Sequence, residues 1–514
     1  MKKIGFCIGI AVSFFLFACS GKTDYEKALP EDAALVASFD LNSIAVKGGL
    51  EGGQGQLTMQ RLCNILKSSI SGSDGLIDKI GEDPEESGLS FQNKLYVFVG
   101  ARSSLVGMLM RTVNDRKVED LLELLREQGV CDGLHESDGC KWTVMGKVLV
   151  AYTEDAFLVL ASPDGRNARD MQHTAAMLLR QEIEDSYAAS DDFQCIQRAK
   201  GDITVWASMA LLPERYTYPL TMGLSAELKG ENVKALAVLN FEQGKLCCDI
   251  RSLTTDEVMS GVVDKYADAT APVAGRYLDV FPLNTFGWAT AHVNGELLFK
   301  YLNENPTVHQ YFEHSIMPLD FHAIFSAIRG DVSLAVTDPL NGYFIAYADV
   351  NNTEFLQTFE NLKPLIAMTG GQMMLTNKGK HAYEFYAMDA SLLDFRPGPA
   401  RVWFGVKNNK LYFTNKESLP DQKVLGLSLR NAEWGSSVPG KRVFVSLDFK
   451  SLMPSLEPSL RNKITSPLLF AGIDRLDHLI VAGGEDQNLH LELVFKDRAK
   501  NALEQIVTLL TFSE

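Results

Sequence analysis

Apolar and polar residues alternate along much of the chain, and stretches with apolar spacings of three and four interrupt the alternation. Leu95, Val97 and Val99 occupy every second position, as do Val332, Leu334 and Val336. Side chains with that period share one face of a half-buried strand. Short polar turns separate pairs of such runs: Thr153-Glu154-Asp155, Lys407-Asn408-Asn409, Glu242-Gln243-Gly244 and Glu485-Asp486-Gln487 each lie between two strand-like segments and predict hairpins. Helical spacing appears at Met59, Leu62, Cys63, Leu66 and Ile70, and at Val118, Leu121, Leu122 and Leu125, where Glu119, Asp120, Glu123 and Arg126 face outward. Met171 to Tyr187, Glu296 to Asn303, Thr353 to Ile366 and Arg498 to Phe512 are further expected helices. Hairpins outnumber strand–helix–strand crossovers, so the fold class expected is α+β, mainly antiparallel sheet with helices packed on one face.

The pattern repeats within the chain. Asn93 to Val99 aligns with Gly330 to Val336 at an offset of 237, and at the same offset Val113-Asn114 meets Val350-Asn351. Val148, Val150, Phe157 and Val159 match Val402, Phe404, Leu411 and Phe413. Ile203, Val205, Ala207 and Leu212 match Val443, Val445, Leu447 and Leu452. Leu236, Val238, Leu246, Cys248 and Ile250 match Leu479, Val481, Leu489, Leu491 and Leu493, while Pro30 and the strand from Leu35 to Leu41 correspond to Pro282 and the strand from Gly287 to Val293. The blocks keep one order with offsets between 237 and 254. Strand alternation is common to all half-buried strands and does not fix an order. Two tandem copies of one module are therefore expected, over residues 28–270 and 278–514.

The N-terminus has a different pattern. Lys2 and Lys3 precede an apolar run from Ile4 to Phe17, too short to span a bilayer comfortably, and Ala18-Cys19 closes it. The string Leu16-Phe17-Ala18-Cys19 resembles the lipobox of bacterial lipoproteins. That resemblance implies a signal peptide over residues 1–18, cleavage between Ala18 and Cys19, lipidation of Cys19, and a tether over residues 19–27. Cys7, inside the apolar run, has no such position.

Composition changes the picture in two ways. The 514 residues are 46% hydrophobic and 22% charged, as in ordinary globular proteins, and the formal charge of −16 becomes −18 once residues 1–18 and their two lysines are removed. Nucleic-acid binding needs basic patches that release counterions, so nucleic acid is not an expected partner. The remaining cysteines, Cys63, Cys131, Cys140, Cys195, Cys247 and Cys248, all precede residue 249. Cys131 and Cys140 flank a short loop that a disulfide would close, but a fold whose second half has no cysteine does not rest on such bridges, and buried thiols are the expectation. Cys247 and Cys248 are adjacent in a strand and point to opposite faces, which argues against a two-thiol metal site.

Catalytic patterns are missing. Gly21-Lys22-Thr23 lacks the upstream glycine of a phosphate-binding loop. Gly48, Gly49, Gly52, Gly53 and Gly55 match no nucleotide fingerprint and are read as a flexible turn region. His309, His314 and His322, near Glu313 and Asp320, do not share a helix face and are read as surface or loop residues. Asp191-Asp192 is read as a helix-capping or solvated pair, and Tyr343, Phe344, Tyr347, Tyr383, Phe385 and Tyr386 as strand core. No catalytic, cofactor-binding or metal-ligating residue is assigned, and no cofactor is expected.

The segment Leu29-Pro30-Glu31-Asp32-Ala33, the strand Leu35 to Asp40, the strand at Gly330-Asp331-Val332 and the lipobox together resemble a family of uncharacterised Bacteroidota lipoproteins. The resemblance covers most of the mature chain and implies a lipid-anchored envelope protein of unknown function, with no catalytic residue carried over. Lys22 and Lys27 dilute the acidic residues after Cys19. That favours the periplasmic side of the outer membrane, with surface display as the alternative. The expected function is non-enzymatic: binding an envelope protein or an apolar ligand, or scaffolding, through the groove between the modules. The competing expectation is a hydrolase acting on an envelope polymer or glycan, its two carboxylates distant in sequence.

Overall fold

The computed structural model describes residues 24–50, 79–80, 83–101, 105–211, 230–314, 318–393, 397–455, 467–484 and 488–511. Ala18, Cys19, Gly21 to Thr23, the expected helix from Met59 to Ile70 with Cys63, the glycines at 52, 53 and 55 and the turn at 485–487 lie outside the described residues. The chain divides into two compact units, Met1–Ala207 and Ser208–Glu514. No helix among the described residues is long and apolar enough to cross a membrane.

The first unit is built on β1 (Ala33–Phe39), β2 (Leu95–Gly100), β3 (Val106–Arg111), β4 (His135–Ser137), β5 (Cys140–Met145), β6 (Val148–Tyr152), β7 (Ala156–Ala161) and β8 (Ile203–Ser208). All neighbours are antiparallel, in the order β8-β1-β2-β3-β7-β6-β5-β4. Strict alternation in β2 buries every second residue, as its period of two requires. Across this sheet lies the helix Asp115–Glu127, capped by the Asn114 side chain, which accepts from Lys117 N at 3.2 Å. Its buried Val118 and Leu122 join Met110, Val150, Tyr152 and Phe157 in one core.

The expected helix from Met171 to Tyr187 is shorter in the structure. Only Gln172–Arg180 is α-helical, with 3-10 turns on either side. It stops where the Gln181 side chain donates to the carbonyls of Lys27 and Leu29, and Ser186 then forms a β-bridge with Pro30. Local periodicity cannot register that long-range capture. Ser190 next caps a helix over Asp191–Arg198, accepting from Phe193 N at 3.1 Å, and places Asp191 and Asp192 in the first turn, where the helix dipole favours them.

The second unit contains β9 (Lys234–Glu242), β10 (Lys245–Ser252), β11 (Thr270–Ala271), β12 (Gly287–Asn294), β13 (Ile328–Asp338), β14 (Tyr343–Val350), β15 (Met373–Gly379), β16 (Ala382–Ala387), β17 (Ala400–Lys407), β18 (Lys410–Thr414), β19 (Val443–Asp448), β20 (Leu476–Gly483) and β21 (Leu489–Phe495). The antiparallel order is β9-β10-β21-β20-β19-β12-β13-β14-β18-β17-β16-β15, with β11 against the end of β12. The run β19 to β15 repeats, strand for strand, the run β8 to β4 of the first unit. Register agrees at the centre: Leu35 lies between Val99 and Ala207, and Gly287 between Val336 and Leu447. The β17–β18 turn has Asn408 and Asn409 at φ of 53° and 58°, the left-handed pair that a two-residue hairpin requires.

This second sheet packs hydrophobic clusters on both faces. One face carries Val350, Tyr383 and Phe404 against Ala327, Phe355 and Leu356 from helical segments. On the other, Trp288, Ala335, Ile345, Phe444, Ile480 and Ala482 pack against Tyr277, Leu278, Phe281, Leu429 and Val438 from the connections. The buried carboxylate of Asp331 holds one of those connections, accepting from Ala274 N at 3.1 Å, Arg276 N at 3.3 Å and His292 Nδ1 at 2.9 Å. Such charge-assisted bonds compensate the desolvation of a carboxylate.

The α+β expectation agrees with these units. The Cys131–Cys140 bridge does not form: both are free thiols, with Cys131 Sγ 3.4 Å from Leu122 O and Cys140 Sγ 3.5 Å from Ser137 O. Cys195, Cys247 and Cys248 are free as well.

Candidate functional site

The connection-covered face of the second sheet carries an open cleft of about 930 Å³. Its floor is made by Ser446 and Asp448 of β19 and by Asp477 and His478 of β20, and one wall by Trp434. A break in the β20–β21 register between Leu476 and His478 places an extra residue in β20. Neighbours along a regular strand point to opposite faces, whereas at this bulge the Asp477 carboxylate reaches His478 Nδ1 at 2.8 Å.

Asp477 is the electrostatic centre of the cleft. Besides His478 it accepts from Lys450 Nζ at 2.8 Å and Arg498 at 2.9 Å, and its side chain is 9% exposed. Burial pushes its carboxyl up, but the Lys450 and His478 contacts outweigh burial and hold it below the usual carboxylate range. Ser451 Oγ donates to Asp448 Oδ2, and Asp448 Oδ1 accepts from Lys450 N at 3.1 Å, so Asp448 fixes the start of the helix Phe449–Ser455. Trp434 stacks on the buried Trp288, with ring centroids 5.8 Å apart and planes 17° off parallel.

A second hollow of about 400 Å³ adjoins the first and shares Pro282, Asn284, Thr285, Thr337 and Leu425 with it. Tyr343, Tyr347 and Lys416 line it, with the Lys416 ammonium 4.3 Å from the Tyr343 ring centroid. Tyr347 stacks on Tyr277 at 5.6 Å, and burial pushes its hydroxyl up to about 12. Leu425, 91% exposed, and Leu427, 60% exposed, form an apolar rim. The arrangement combines aromatic and aliphatic walls with a charged floor on which Asp477 contacts Lys450, His478 and Arg498. Held ionised in this way, Asp477 is a poor proton donor.

Several residues singled out in the sequence have other places. Tyr383 is core, and Phe385 packs beside it, but Tyr343 and Tyr347 line the second hollow as well as packing in the strand. His309 pairs with Glu313 at 3.2 Å, His314 Nδ1 lies 3.1 Å from Gln310 O, and His322 Nε2 lies 3.4 Å from Ser326 Oγ, each a local contact. Gly48 ends the helix Leu41–Lys47 and Gly49 has φ of 69°. Sequence reasoning missed Asp448, Trp434, Asp477 and His478; the adjacent Asp477-His478 pair at the start of a strand is a signal that could have found the last two.

The solved structures with similarity to the chain include three crystal forms of TP0453. Form IV is 10% identical and covers 46% of this chain and 83% of that chain; form I is 10% identical and covers 49% and 88%; form III is 11% identical and covers 49% and 90%. The TM-score is 0.27 for each. No curated protein matches the chain. Residues 25–503 match a family described as Domain of unknown function (DUF4836), and because that match spans nearly the whole chain, the protein belongs to this family.

Proposed function

We propose that this chain is a cell-envelope lipoprotein, anchored through Cys19, that binds an apolar or amphiphilic ligand in the cleft of its second unit. The cleft carries the binding part of the reading. Its volume lies in the range of ligand sites, roughly 300–1,000 Å³, and the exposed Leu425 and Leu427 at its rim are apolar surface that an apolar occupant would cover. The sequence alone pointed to the groove between the modules; the geometry favours a site within the second unit.

The anchor rests on the apolar run from Ile4 to Phe17 ending at Ala18-Cys19. Each buried methylene of an acyl chain contributes about 0.8 kcal/mol, so two or more chains hold a protein on a membrane. Lys22 and Lys27 favour the periplasmic face of the outer membrane. The repeated strand order, the matching central register and the bridges Pro30–Ser186 and Pro282–Ser428 support descent of residues 28–270 and 278–514 from one module.

One experiment separates anchor from cleft. Cells supplied with a photoactivatable fatty acid are irradiated and the full chain is digested and mapped. The proposal expects acylation at Cys19, lost in Cys19→Ser, and photo-adducts on peptides containing Leu425, Trp434 or Ser446, lost in a Leu425→Asp, Leu427→Asp variant. Label at Cys19 alone contradicts the cleft; cleft adducts without label at Cys19 contradict the anchor.

A further inference from the structure

Away from the cleft, β10 and β21 bring together a group of side chains that has no part in ligand binding there. Cys247 lies directly opposite Glu492, and Asp249 opposite His490. Alternate residues share a face, so all four project to one side. Cys247 Sγ, an imidazole nitrogen of His490 and a carboxylate oxygen of Glu492 all lie within 4.8 Å of one another, and no other such trio occurs among the described residues. Cys247 Sγ is 3.9 Å, and His490 Nε2 3.3 Å, from Glu492 Oε1.

We propose that Cys247, His490 and Glu492 bind a zinc-class divalent cation, with Asp249 orienting His490 and the fourth position open to solvent. A tetrahedral ion with bonds of about 2.0–2.3 Å holds its ligand atoms roughly 3.3–3.8 Å apart, so small side-chain rotations close the site. Asp249 Oδ1 lies 2.7 Å from His490 Nδ1. A proton held there leaves the Nε2 lone pair aimed at Glu492, the outer carboxylate–histidine arrangement common at metal centres. Thiolate, imidazole and carboxylate together suit zinc better than the oxygen-loving calcium or magnesium. Lys245 Nζ contacts Glu492 Oε1 at 2.7 Å. The incoming ion takes the place of that ammonium as the carboxylate's counter-charge.

The duplication reading supplies a reason for the position. The offset of 243 that aligns β9–β10 with β20–β21 makes Cys247 the counterpart of His490 and Asp249 that of Glu492. These strands pair antiparallel about Cys248 and Leu491, themselves counterparts, so equivalent residues lie across a local two-fold axis. Each copy contributes one nitrogen or sulfur donor and one carboxylate.

Cobalt(II) titration of the purified, reduced full chain tests this. The proposal expects a near-ultraviolet thiolate-to-cobalt charge-transfer band that saturates at one ion per chain and is displaced by zinc. It is absent in Cys247→Ser and retained in Cys248→Ser, whose side chain points to the other face, and Asp249→Asn weakens binding about tenfold. No band, or a band lost in Cys248→Ser and kept in Cys247→Ser, overturns the assignment. Alkylation of the unsubstituted chain needs no variant: zinc should slow modification of Cys247 and not of Cys248, and equal rates with and without zinc overturn the site.

Discussion

Replacing Asp477 by alanine removes the one anion that Lys450, His478 and Arg498 share. The three partners differ in their access to water. The His478 side chain is 10% exposed, whereas those of Lys450 and Arg498 are 55% and 40% exposed. The two exposed cations turn to solvent, and each lost pair there is worth about 0.2–1 kcal/mol. The buried imidazole has no such escape, and losing a charge-assisted bond costs about 1.5–3 kcal/mol. Together these place the destabilisation at roughly 2–5 kcal/mol. Urea unfolding followed by tryptophan fluorescence reads it where it occurs, because the Trp288–Trp434 stack borders the same cleft. The pH dependence carries a sign. Asp477 is depressed below its ordinary 3.8, so its contribution is complete above that value and is lost as pH falls through the lower folded value. The variant should therefore lose less stability than the parent on acidification. A destabilisation under about 0.5 kcal/mol, within the range of ordinary surface substitutions, or an unchanged acid limb refutes the view that Asp477 organises the cleft floor.

Other outcomes follow from the packing. Gly405→Ala should lower the melting temperature, with a penalty of about 1–3 kcal/mol, because the added Cβ would lie 2.2 Å from His381 O, a backbone atom that cannot swing aside. Asn409→Val forces a β-branched residue into φ of 58° and should weaken the β17–β18 hairpin by about 1–2 kcal/mol, read as faster amide exchange in those strands, whereas Asn409→Gly should not. Trp288→Ala removes a fully buried indole and should destabilise the second unit by about 3–5 kcal/mol in the same urea assay. Denatured without reductant, the chain should take up an alkyl group at each of Cys131, Cys140, Cys195, Cys247 and Cys248; a missing pair would reveal a bridge.

Much of the fold was legible because it is periodic. Alternation marked β2 and β13, spacings of three and four marked Asp115–Glu127 and Gln357–Ala367, and polar turns marked the hairpins. Contacts set by distant parts of the chain were not legible. The helix after Met171 ends early because Gln181 finds the Lys27 and Leu29 carbonyls, and no local pattern encodes that meeting. The cleft is hidden for the same reason. Asp477 and His478 are two polar neighbours in the sequence, and only the bulge in β20 and the fold around it put both in the cleft lining with Asp448, Lys450 and Trp434. Cys247 lies more than 240 positions from His490 and Glu492 along the chain, and only the β10–β21 register joins them. Tyr343 and Tyr347 show that strand core and groove lining are not exclusive on a sheet that is only partly covered.

Native mass spectrometry of the full chain extracted from its membrane, compared with a Ser446→Trp variant that fills the cleft floor, tests the binding reading most directly. The account predicts a diacyl- or triacyl-modified chain carrying one further apolar or amphiphilic mass, with that mass absent from the variant while the acyl modification remains. An extra mass that persists in the variant, or a parent chain carrying none, would contradict it.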